Sequence, residues 1–139
     1  MQVAELDRPV PDYLGGELMH VQFAELPVFN QDRAKAFYVG HFGCHVAADQ
    51  PMEPRGWRWI ELQFLDAQTT LHFLPREDEK LSKGPVLVLV DNQIEETVSR
   101  LQSRGVEIIT SPKPAPWQPG VTVAEFRDSE GNRMVLSSR

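Results

Sequence analysis

A chain of 139 residues with 41% hydrophobic content suits one compact domain, and a domain of that size buries about 65–70% of its unfolded surface without a metal or disulfide staple. The single cysteine, Cys44, excludes an internal disulfide and a cysteine-based zinc site. The formal charge of −6 argues against a nucleic-acid partner, which demands a basic face.

Membrane insertion is not expected either, because no apolar run approaches the roughly eighteen residues that cross a bilayer. The start of the chain carries Glu5, Asp7 and Arg8 in place of the apolar stretch of a secretory signal, so a cytoplasmic location is the expectation. Residues 1–18 hold Pro9, Pro11, Gly15 and Gly16 without sustained periodicity and read as an arm, which Tyr13 and Leu14 would anchor. Val21–Val28 then has the composition of a strand, with Pro27 limiting its pairing.

Asn30 is placed to cap a helix whose first turn holds Asp32 and whose apolar face is Ala34, Phe37, Tyr38 and Phe42, with Gly43 to end it. Three strands follow, at Cys44–Ala48, Trp57–Leu65 and Thr69–Leu74, where Pro75 is expected to stop the last. Residues 76–83 are charged and lack apolar period, as a linker does. Val86–Val90 is continuously apolar, the pattern of a strand covered on both faces. Asn92 with Glu95 resembles a capping box for a second helix, buried through Ile94, Val98 and Leu101 and ended by Gly105. Val106–Thr110 is another strand. Ser111–Gly120 places four prolines around Trp117 and reads as a loop. The chain closes with Val121–Phe126 and Arg133–Leu136 around an Asp128–Asn132 turn, a hairpin signal in which Gly131 supplies the positive φ.

The order strand, helix, three strands thus occurs twice. Val28 and Val90, Asn30 and Asn92, Gly43 and Gly105, Phe64 and Phe126, Asp66 and Asp128 each stand 62 positions apart. Five matches at one offset favour an internal duplication over chance or a ferredoxin-like sandwich. The expected fold class is therefore α+β, with two βαβββ modules of mixed sheet: an arm over 1–18, then a single domain over 19–139 divided into module 1 (about 19–75), a linker (76–83) and module 2 (about 84–139).

Three segments carry a resemblance. Asn30-Gln-Asp-Arg-Ala-Lys-Ala-Phe-Tyr38 up to Gly43, Arg104-Gly-Val-Glu-Ile108, and Phe126-Arg-Asp-Ser-Glu-Gly-Asn132 resemble the vicinal oxygen chelate superfamily, which includes glyoxalase I, extradiol dioxygenases and bleomycin-resistance proteins. The resemblance covers roughly residues 20–137 and implies sheets curled around a concave site, usually in a dimer. Metal-using members place one ligand on the first and one on the last strand of each module. The pattern carries these positions onto Phe23, His72, Pro85 and Val135, of which only His72 has a donor atom. The expectation is no metal at the family site and no cofactor.

Strand alternation supplies a candidate lining. If Phe23 and His72 face the cavity, so do Val21, Glu25 and Thr70, and by the internal offset Trp59, Glu61 and Gln63. In the second module the same reasoning selects Val123, Glu125 and Arg127, with Leu87 and Leu89, and Trp117 in its loop is a candidate cover. An aromatic and aliphatic wall with a few polar groups has the makeup of a small-molecule site. Each residue also has a plainer role. His72 suits a lone histidine with one hydrogen-bond partner, the three glutamates suit a solvated sheet face, Trp57 and Trp59 suit the core or a dimer interface, and Trp117 suits docking on its own module. His20, His41 and His45 read as surface residues.

Two functions stand beside each other. One is a metal-free protein of the bleomycin-resistance type that binds a small organic molecule. The other is an enzyme: a metal enzyme with non-standard ligands such as His72 with Glu25 or Glu61, or a metal-free lyase or isomerase with His72 or Glu61 as general base. The expected partners are a small molecule and a second copy of the chain.

Overall fold

A computed structural model describes residues 19–52 and 56–139, so the arm expected at 1–18, with Tyr13 and Leu14, lies outside the described residues. The elements are β1 (Phe23–Val28), α1 (Gln31–Phe42), β2 (His45–Pro51), β3 (Arg58–Gln63), β4 (Thr70–Pro75), β5 (Pro85–Val90), α2 (Ile94–Ser103), β6 (Ile108–Pro114), β7 (Thr122–Arg127) and β8 (Arg133–Ser137). Two four-stranded sheets result, ordered β1-β4-β3-β2 and β5-β8-β7-β6. In each the first strand lies parallel to the last and the other neighbours are antiparallel, which makes the sheets mixed. The α+β, twice-repeated βαβββ architecture is the one the sequence predicts.

α1 begins and ends as its residues dictate. The Asn30 side chain accepts from the Arg33 N–H, and Gly43 takes φ 66° at the end, a left-handed conformation that costs glycine little. α2 departs from expectation. Asn92 is not its cap; Gln93 occupies that position without a side-chain hydrogen bond, while Asp91 Oδ1 accepts from the Gln93 N–H. The acidic side chain just before it has taken the local backbone donor, so the reciprocal Asn92–Glu95 box does not form. β6 also runs further than predicted, to Pro114. It accommodates Pro112 and Pro114 on an outer strand through register shifts between Thr110 and Lys113.

The core is one layer shared by both sheets and both helices. Leu26, Val28, Ile60, Leu62 and Phe73 of the first sheet join Phe126, Met134 and Leu136 of the second, with Tyr38 and Leu101 between them, all essentially fully buried. Phe37 and Phe42 of α1 lie against Phe126, at centroid distances of 6.2 and 5.4 Å. Burying an aliphatic or aromatic side chain of this size contributes about 1.5–3 kcal/mol. Both sheets therefore turn their inner faces to one core.

The Asp128–Asn132 turn fastens module 2 onto module 1. Glu130 Oε1 accepts from the Phe29 and Asn30 N–H groups, and Arg33 binds both carboxylate oxygens. The Tyr38 hydroxyl donates to Asp128 at 2.6 Å, and the Asn132 amide donates to the Pro27 carbonyl at 2.7 Å.

β5 differs from the doubly covered strand its composition suggests. It is an edge strand with Val88 59% and Val90 70% exposed. A register shift between Pro85 and Leu87 decides which of its residues are exposed. It moves Leu87 and Leu89 beside Met134 and Leu136, where they pack on the core, and leaves Val88 and Val90 outward. Val28 and Val90, matched in sequence, thus end on opposite faces.

Candidate functional site

β1, β4 and β3 present every second residue on the outer face of the first sheet, and Glu25, His72 and Glu61 lie side by side in register there. Trp59 and His72 are in face contact, centroids 3.9 Å apart and tilted 32°. Phe23 touches both rings at 5.5 Å. His72 Nδ1 stands 3.1 Å from Glu25 Oε2, with the imidazole buried and the carboxylate half exposed. Glu61 is fixed from two sides, by the Trp59 indole N–H at 2.7 Å and the Thr70 hydroxyl at 3.0 Å. Both donors are neutral, so the Glu61 charge is oriented and not cancelled. Among the described residues neither Glu25 nor Glu61 has a Lys or Arg within ion-pair distance. Gln63 follows on β3, its amide donating to the Ala67 carbonyl. A shallow depression of about 520 Å³ adjoins the group, lined by His20, Gln22, Glu61, Gln68 and Thr70 among others.

The second sheet's outer face is a different surface. Arg133, which the strand reading passes over, makes a two-point ion pair with Glu125 at 2.7 and 2.8 Å, and the Thr110 hydroxyl donates to the same carboxylate. Arg133 foremost holds the Glu125 carboxyl below its usual range, against the opposing effect of burial. The third expected carboxylate is thus already neutralised. Arg127 turns to the linker, its Nη1 donating to the Ser82 and Gly131 carbonyls. Val123 is buried with Ala115 and Val121 under the β6–β7 loop, and Trp117 on that loop is 64% exposed.

The candidates therefore gather into two groups, one per sheet. Phe23, Glu25, Trp59, Glu61, Thr70 and His72 are brought together; Gln63 continues the same face. Val123, Glu125 and Arg127 share the other outer face. Leu87 and Leu89 are not on it, because the register shift in β5 turns them inward and puts Val88 and Val90 there instead. No hydrogen bond, ion pair or aromatic contact joins the two groups among the described residues. Outside both, His41 is partly buried against Phe37 at 4.7 Å rather than a surface residue, and burial lowers its basicity. His45 and His20 are exposed.

Residues 18–136 match the sequence profile of the Glyoxalase/Bleomycin resistance protein/Dioxygenase superfamily. The chain belongs to that superfamily. Its sequence is 31% identical over 111 residues to the uncharacterized protein YetH of Bacillus subtilis (strain 168), covering 78% of this chain and 89% of that one. Its fold is similar to TnmS3, an antibiotic binding protein from Streptomyces sp. CB03234, with a TM-score of 0.71 and 32% identity over 86% of this chain and 94% of the other. A superfamily member from Sphaerobacter thermophilus DSM 20745 superposes with a TM-score of 0.74 and 27% identity, over 86% and 97% of the two chains.

The superfamily's metal chemistry needs four donors, and the residues at those positions do not fit it. Phe23, Pro85 and Val135 carry no side-chain donor, which leaves His72. Glu25 brings a second donor to His72, and among the described residues no group of three His, Cys, Asp or Glu is arranged around an ion.

Proposed function

We propose that the chain binds a small organic molecule on the outer face of its first sheet, without a metal at the superfamily positions, as a homodimer. The observation that carries this reading is the Trp59–His72 face contact beside two carboxylates, Glu25 and Glu61, that have no Lys or Arg within ion-pair distance among the described residues. A flat molecule gains stacking on such a surface and a cationic one gains charge attraction, each contributing on the order of 1 kcal/mol and more where water is excluded. Similarity to TnmS3, which is an antibiotic binding protein, supports a binding role. The dimer supplies the second wall. The first sheet of one copy would meet the second sheet of its partner to enclose the site, and the exposed Val88 and Val90 suit that contact.

The test is a titration of cationic, neutral and anionic aromatic compounds, followed by tryptophan emission. A Trp117→Phe background removes the exposed indole's signal. Cationic compounds are expected to quench Trp59 and to bind several-fold more weakly to Glu61→Gln. Binding restricted to anionic compounds, or an unchanged Glu61→Gln, rejects this ligand class. Elemental analysis of protein purified without chelators is expected to show no stoichiometric transition metal.

The His72–Glu25 pair favours a second reading, a metal-free lyase or isomerase in which Glu25 orients His72 as general base. Under it, Glu25→Gln lowers turnover of the bound compound while leaving its affinity near wild type. A bound compound that is recovered unaltered after prolonged incubation rejects it.

A further inference from the structure

We infer that the groove between the Asp66–Thr70 turn and α2 is a second binding site, taking an amphiphilic monocarboxylate whose apolar part fills the groove and whose carboxylate meets Arg100. The two modules differ at this point. In module 2 the Asp128–Asn132 turn is seated against the start of α1 through Glu130, Asn132 and Asp128. The matching turn of module 1 has Ala67, Gln68 and Thr69 where the other has Ser129, Glu130 and Gly131. Its hydrogen bonds run to its own strand and to β1's approach: Ala67 N–H to Phe64, the Gln63 amide to Ala67, and Thr70 N–H to Gln22. None reaches α2.

A groove of about 560 Å³ lies where that seating is missing. Phe42, Phe64, Leu71, Leu87, Leu89 and Leu136 form its apolar walls, and this volume is within the range that holds a small ligand. Arg100 is the cation among the lining residues. Its Nη2 donates to the His41 carbonyl at 3.0 Å, and among the described residues it has no carboxylate within ion-pair distance. A guanidinium has five donors, so one bond to a carbonyl leaves a fork for a carboxylate. The buried Thr97, one turn before Arg100, also lines the groove. Asp91 lines it too, with Oδ1 engaged by the Gln93 N–H, and its charge disfavours a ligand with a second carboxylate. Apolar walls with one available cation specify the ligand's chemistry: a hydrocarbon body with one anionic end. The groove takes in Thr70, Val88 and Val90 but neither Trp59 nor Glu61, so Glu61→Gln separates it from the outer-face reading.

The probe is octanoate, titrated by calorimetry beside 1-octanol and octylamine. Octanoate is expected to saturate at one per chain and to bind at least tenfold more tightly than either neutral or cationic analogue. Arg100→Gln should bring octanoate down to the level of octanol, Arg100→Lys should retain most of the affinity, and Ala67→Trp, which fills the mouth, should abolish binding of all three. Glu61→Gln, which weakens cationic ligands on the outer face, should leave octanoate unaffected. If Arg100→Gln fails to fold, the lysine and tryptophan variants decide. The proposal is overturned by an absence of saturable octanoate binding, by equal affinity for octanol, by indifference to Arg100→Gln or Ala67→Trp, by sensitivity to Glu61→Gln, or by a dimer structure in which the partner chain fills the groove.

Discussion

Tyr38, Asp128 and Glu130 set the relation between the modules through a few atoms. The Tyr38 hydroxyl is fully buried and donates to Asp128, so Tyr38→Phe removes one buried hydrogen bond and leaves a carboxylate oxygen with only the Asn132 amide. The expected cost is about 1–2 kcal/mol, read as a lower denaturant midpoint with an unchanged slope. Glu130 makes an acid-dependent contribution. Burial works to raise its carboxyl, but Arg33, the Asn30 N–H and Ser129 outweigh it and hold the group below its ordinary 4.5. A depressed carboxylate contributes stability that is fully present above its unfolded value and is lost as pH falls through the folded one. The stability difference between wild type and Glu130→Gln should therefore be widest near neutrality and shrink in acid below about pH 4.5. A difference that grows on acidification contradicts this. Asp128 runs the other way. Burial raises it, so its contribution is greatest in acid and declines as pH rises through its folded value.

At the scale of elements, helix ends and strand registers decide what each segment presents. Gly43 ends α1 at φ 66° with open space where an alanine methyl would lie, so Gly43→Ala costs only the left-handed strain, about 1 kcal/mol. Gly131→Ala should cost more, since at φ 79° an added Cβ also meets Leu81 Cδ2 at 3.0 Å. Thermal melts of the two variants give the order directly. α2 offers the opposite opportunity, because its cap residue makes no side-chain hydrogen bond. Gln93→Asp should stabilise the protein by about 0.5–1 kcal/mol, and a lower melting temperature would count against the capping argument.

For the whole molecule, the decisive feature is that both sheets commit their inner faces to one core. What is left outside is a first sheet bearing aromatic rings and two carboxylates and a second sheet edged by Val88 and Val90. β1 and β5 are both edge strands, and unpaired strand edges are commonly closed by another copy. Light scattering at micromolar concentration is expected to give the mass of a dimer. Val88→Asp should shift it to monomer and weaken ligand binding together, although Trp59 and Glu61 are untouched. A monomeric wild type, or a monomeric variant that binds as tightly as the parent, removes the shared site.

The residues by themselves determined the repeated βαβββ plan, because helix caps, apolar periodicity and turn glycines are local: Asn30 bonds a backbone donor three residues away, and Gly43 needs no distant partner. They also show that Phe23, Pro85 and Val135, the positions onto which the resemblance carries three of the four metal ligands, have no side-chain donor. On the first sheet, alternation sufficed to gather Phe23, Glu25, Trp59, Glu61 and His72, because no register shift intervenes where β1, β4 and β3 pair. On the second sheet it did not. One shift between Pro85 and Leu87 inverts every later residue of β5, and nothing in a run of valines and leucines marks where it falls. The Glu125–Arg133 pair and the Arg100 groove were likewise invisible, since each depends on which residues from separate strands or separate modules come to lie opposite one another. Parity along a strand is written in the chain; the register between strands, and the packing of one module on the other, are fixed only when the core closes.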